Sequence, residues 1–197
     1  MKGTAMTLMM IAVSGVAPAE SIDLAAERTV TVCMEGAVVS PASVQAQKIA
    51  SGMFVAIGVT LEWRRGLKDC PPKGIRISLG DQTPTSLKPG AIAYALPYEG
   101  EHIRVFYDRV SRAATRSLVP RLLAHVLVHE ITHILQGVDR HSDSGIMKDH
   151  WDSSDFHSMA WKPLYFEPRD VDLIYRGLAG RAGRAILENP PAPIATK

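Results

Sequence analysis

The sequence predicts one α+β domain: a twisted mixed sheet, a helix backing it, and a second helix that carries an active site. Three observations lead there. Short β-branched and alternating runs recur at Thr29–Cys33, Thr60–Trp63, Ile75–Leu79 and His102–Asp108, the signature of strands. Two longer stretches, Ser40–Gly58 and Ser117–Gly137, space their apolar residues as helices do. The chain has 197 residues, 46% of them hydrophobic, enough for one sizeable core and too few for two ordinary domains.

In chain order, Lys2 precedes an apolar stretch from Met6 to Val16, which leads into Ala17-Pro18-Ala19 and Glu20. A positive start, an apolar run and small residues at the end read as a secretory signal peptide, residues 1–19, with cleavage after Ala19 and a secreted or periplasmic product. The first strand, Thr29–Cys33, opens the folded part, expected over residues 20–186. Ser40 is placed to cap the backing helix, Pro41 suits its first turn, and Val44, Ile49, Met53, Phe54 and Ile57 lie near helical spacing before Gly58 ends it. Strands Thr60–Trp63 and Ile75–Leu79 follow, separated by Pro71, Pro72 and Gly74.

Asp81–Pro89 has no periodicity and reads as a loop. Ala91–Leu96 and His102–Asp108 form a strand pair around Pro97–Glu101; Ile103, Val105 and Tyr107 share one face of the second. Ser117 is a candidate cap for the next helix, and Leu122, Leu123, Val126, Leu127, Ile134 and Leu135 make it broadly apolar until Gly137. An irregular region runs to Pro168, and a helix follows from about Asp170 to Leu178. The proline-rich end, residues 187–197, reads as a disordered tail.

Basic residues number 22 and acidic ones 20, with no block of one sign, which leaves no electrostatic footprint for nucleic acid. After the leader no apolar run is long enough to span a membrane. Cys33 and Cys70 lack the close spacing of a cysteine metal site. In an exported chain they pair as a disulfide; in a cytosolic one they are buried thiols.

The chemistry lies in His129-Glu130-Ile131-Thr132-His133. On a helix, histidines four apart share a face, so both imidazoles reach one zinc ion, while Glu130 stands beside the first as general base. A buried helix bearing such polar groups requires a partner for them. His125 lies one turn earlier, but three ligands along one straight helix cannot converge on one ion, so it reads as packing or support. His150 and His157 read as surface or cleft residues.

The five-residue pattern is that of the zincin metallopeptidases. The residues beyond it resemble those of the metzincins: Gly137-Val138-Asp139-Arg140-His141-Ser142 is similar to their third-ligand segment, with glycine and histidine displaced from the family spacing. Asp139 stands ten residues after His129, where the snapalysins place an aspartate. His141-Ser142 resembles the third-histidine segment of matrixins, and neutral imidazole is the commonest zinc ligand, so His141 is preferred. Ser144-Gly145-Ile146-Met147 resembles the Met-turn, and Phe166–Ile174 resembles the acidic-capped helix that closes matrixin domains.

The resemblance covers Ala91 to about Gly180. It implies a zinc endopeptidase fold with metal ligands His129, His133 and His141, Glu130 as catalytic base, and a peptide or protein as substrate. It also places His102–Asp108 as the edge strand that pairs with substrate. A monomer is favoured. The rival is an exported zinc-binding or interaction module of the same fold that does not cleave peptides, marked by a closed site in which both His141 and Asp139 bind.

Overall fold

A computed structural model of the chain describes residues 28–36, 40–83 and 90–188. The expected signal peptide and residues 189–197 of the expected tail lie outside them. In order the elements are β1 (Thr29–Gly36), α1 (Pro41–Val55), β2 (Thr60–Arg65), β3 (Ile75–Gly80), β4 (Ala93–Ala95), β5 (His102–Phe106), α2 (Tyr107–Ala113), α3 (Val119–Gln136), α4 (Ser153–Trp161) and α5 (Pro168–Glu188).

The strands form one mixed sheet in the order β2-β1-β3-β5-β4, parallel throughout except for the antiparallel pair β4–β5. Register explains which face is covered. Val32 pairs with Ile75, Met34 with Ile77, Ile77 with Ile103 and Leu79 with Val105, so the buried aliphatic residues of three strands line up on one face. On the other face Thr31 sits beside Glu62, Arg76 beside His102 and Ser78 beside Arg104. The first face packs beneath α1 and α3, which also pack on each other.

α1 starts as its sequence dictates. The Ser40 hydroxyl accepts from the Ser43 amide and the Ser43 hydroxyl from the Ser40 amide, a reciprocal cap, with Pro41 in the first turn. Its buried face is Ser43, Ala46, Ala50, Met53 and Phe54, small enough at its centre for close approach to α3. Val44, expected inside, is 56% exposed. Cys33 and Cys70 are joined in a disulfide, Cα atoms 5.8 Å apart, which ties β1 to the loop before β3.

Four expectations are corrected. His102–Asp108 is not the edge strand: β5 lies between β3 and β4, and the edge is the three-residue β4. Tyr107 and Asp108 belong to helix α2, whose first turn gains Asp108 and whose core contact is Val110. Ser117 does not cap α3; the first turn is closed instead by the Thr115 carbonyl, which accepts from the amides of Leu118 and Val119. The last helix does not stop at Leu178. It runs to Glu188: Ile174 and Leu178 are buried, and beyond them the Arg181 guanidinium donates to the Gly100 and Lys73 carbonyls.

Candidate metal centre

Helix α3 is buried along nearly its whole length, and His129 and His133, one turn apart in its second half, emerge on one side. The Nε2 atoms of His129 and His133 face each other at 3.0 Å. Gly137, with φ at 68°, adopts the left-handed conformation that closes the helix and reverses the chain. The reversal returns His141 to the two helical imidazoles, its ring centroid 5.3 Å from that of His129 and 5.0 Å from that of His133. Among the described residues these three histidines form one group of possible metal-binding atoms, all within 4.8 Å of one another. Asp139 lines the same cleft but is not in that group.

The outer nitrogens decide what the inner ones can do. His129 Nδ1 donates to the Ile146 carbonyl at 2.9 Å, and His133 Nδ1 donates to the Val138 carbonyl at 3.3 Å. A carbonyl only accepts, so each proton sits on Nδ1 and each Nε2 presents a lone pair. Two lone pairs 3.0 Å apart repel unless a cation lies between them. That separation is one that two zinc–nitrogen bonds of about 2.0–2.1 Å can span. His141 Nδ1 lies 3.7 Å from Asp149 Oδ1. Burial above all, then the neighbouring His133, pushes His129 down to about 4; burial also lowers His133. Both are neutral near pH 7, the form that binds metal. The donor set therefore fits a borderline-soft divalent ion.

Glu130 is 8% exposed and lines the cleft beside His129 and His133. Burial, with a smaller contribution from the Asp139 charge, raises its carboxyl to about 8. A carboxyl poised there can both accept and return a proton near neutrality.

The residues from Ser142 to Met147 make a tight loop. The Ser142 amide donates to the Met147 carbonyl and the Ile146 amide to the Tyr165 carbonyl, with Ile146 and Met147 fully buried. The loop thus supplies the carbonyl that orients His129. His125 is no ligand: its Nδ1 donates to the Arg121 carbonyl at 2.7 Å and its Nε2 accepts from the Leu164 amide at 3.0 Å. It staples the returning segment to α3, and the Trp151 ring stands edge-on to both His125 and His129. His150 is exposed and donates to Asp149; His157 is exposed.

The centre opens into a cleft of about 960 Å³, walled on one side by Gly90–Tyr98 and on the other by Lys148–Trp151 and Phe156. Helix α4, which stiffens the second wall, was not expected from the sequence. Its signal was Asp152 followed three residues later by Asp155, a reciprocal cap built from two aspartates. Lys148 bridges both carboxylates. The orienting carbonyls of Ile146 and Val138 carry no sequence signal, since any residue supplies one.

A mixed sheet of this order, covered by a helix that carries two histidines of a three-histidine centre, defines a class of fold. The crystal structure of archaemetzincin from Methanopyrus kandleri is similar to it, with a TM-score of 0.54 over 77% of this chain and 97% of that one. Identity is 15%, so the likeness is one of fold. No family model matches the chain, and no curated protein matches it.

Proposed function

We propose that this chain is a zinc-dependent endopeptidase. One observation carries the reading: three imidazoles, two of them with their Nε2 lone pairs freed by a protonated Nδ1, meet beside a buried glutamate at the floor of an open cleft. His129, His133 and His141 would hold the ion in this reading, the three protein ligands that a catalytic zinc takes. Zinc there supplies Lewis acidity, polarising a scissile carbonyl and acidifying water.

Glu130 takes the proton of the attacking water on its carboxylate and returns it to the leaving amine. The substrate is held by backbone pairing. The Phe106 amide donates to the Ile92 carbonyl and the Leu96 amide to the His102 carbonyl, so Ile92, Tyr94 and Leu96 turn their polar groups to β5. By alternation Ala93 and Ala95 turn theirs to the open edge, where no described strand pairs with them. Their methyl groups leave the cleft wide enough for an extended peptide.

Archaemetzincin's fold and the cleft support this reading over the non-cleaving module, because Asp139 does not close the site. We also infer export, with processing after Ala19; the Cys33–Cys70 bond supports an oxidising compartment. Metal analysis of purified protein, combined with cleavage of a broad peptide library, tests the assignment. One equivalent of zinc and cleavage abolished by chelation are expected. Zinc retained with no peptide cut would support the binding module instead.

A further inference from the structure

Two of the three imidazoles lie on a helix that fixes them, whereas His141 stands on the loop between Gly137 and Met147 and needs an anchor of its own. Its neighbours on both sides reach one carboxylate. The Arg140 guanidinium pairs with Asp170 Oδ1 at 2.7 Å, and the Ser142 hydroxyl lies 2.8 and 3.0 Å from the two Asp170 oxygens. Asp170 is fully buried, in the first turn of α5, and its Oδ2 also accepts from the Glu167 amide at 3.3 Å. The Gln136 side-chain amide donates to its backbone carbonyl. A buried carboxylate is retained only where donors surround it, and here the donors flank the one metal-binding histidine that no helix holds.

We propose that Asp170 is the positioning residue for His141: through Arg140 and Ser142 it holds the reversing loop so that the third imidazole meets the other two. The inference rests on the metal reading above. Asp170 touches neither substrate nor ion. Its effect is to remove the freedom that His141 would otherwise lose on binding metal.

The test is a thermodynamic cycle on the full-length chain, with zinc affinity read by competition against a chromophoric chelator. Asp170→Asn keeps an acceptor for Ser142 but loses the ion pair with Arg140. It is expected to weaken zinc by about 10- to 100-fold in an otherwise native chain. Placed on top of His141→Ala, the same substitution is expected to change zinc affinity by less than about threefold, because the group it positions is gone. A merely structural aspartate would weaken zinc equally in both backgrounds, and that result overturns the proposal. Ser142→Ala removes one of the two links without burying a lone charge; it is expected to act in the same direction, smaller, and only when His141 is present. Native zinc affinity in both Asp170→Asn and Ser142→Ala also overturns the proposal. If the native chain itself holds no zinc, the metal reading falls and this inference falls with it.

Discussion

At the scale of single residues, the proposed function divides the centre between three imidazoles that would hold the ion and one carboxyl that would move protons. Glu130→Gln keeps both helical imidazoles but cannot accept a proton, so zinc content should be unchanged while turnover falls about a hundredfold to ten-thousandfold, measured as kcat on any cleaved peptide. His141→Ala should weaken zinc severely and Asp139→Ala slightly, since only the former removes a member of the group that could hold a metal. An emptied site in Asp139→Ala with a filled one in His141→Ala would reverse the assignment. pH acts on the same groups. Burial depresses His125, His129 and His133 below the ordinary value near 6.5, so as pH falls below it the unfolded chain takes up protons that the folded chain refuses. Glu130 is shifted the opposite way: its carboxyl, raised from 4.5 to about 8, is protonated in the folded chain first. Below about pH 6.5 the histidines and the carboxyl act in opposite directions, whereas between about 6.5 and 8 Glu130 alone of these groups acts, and stability falls as pH rises. Metal-free protein should therefore lose stability as pH rises from about 6.5 to 8, a fall that urea denaturation across that range would reveal or exclude. The pair His129 and His133 was legible because four residues are about one helical turn. The Ile146 and Val138 carbonyls were not, because their placement depends on a loop closing through space.

At the scale of elements, α3 and α5 cross where Gly177 meets the Leu135 carbonyl; a Cβ at Gly177 would lie 1.7 Å from that oxygen. Backbone cannot yield as a side-chain tip can, so Gly177→Ala should cost about 1–3 kcal/mol or more in urea unfolding. A change of less than a few tenths would mean the helices separate freely. Asp152→Ala should loosen α4 by about 1 kcal/mol, since its carboxylate caps the amides of Ser154 and Asp155. A drop in kcat/KM with zinc content unchanged would accompany it, as α4 supports a wall of the cleft. Element legibility followed local chemistry. The reciprocal Ser40–Ser43 cap and the glycine at 137 mark real ends of helices, whereas the last helix runs on past Leu178, where no such end signal stands. The edge strand was misplaced because the resemblance assigned that role to His102–Asp108, whereas the three-residue β4 takes it.

At the scale of the whole molecule, the Cys33–Cys70 bond closes a loop that contains α1 and β2, the crossover from which the sheet grows. Replacing both cysteines with serine should lower stability by about 2–5 kcal/mol while leaving zinc stoichiometry intact, as the bond lies on the face of the sheet away from α3. Equal stability of the two forms would show that the covered core alone suffices. By itself the sequence determined the α+β class, the run of strands and helices around one core, and the pair of histidines that share a helix face with their adjacent glutamate. These follow from periodicities of about two and 3.6 residues, which act over a few bonds and are written in neighbouring side chains. Tertiary structure decided which strand forms the open edge, how the reversed loop brings His141 to the two helical imidazoles, and which carbonyls hold the rings. Each of these depends on segments distant in sequence meeting in space, where burial and backbone hydrogen bonding, common to every residue type, choose the partners.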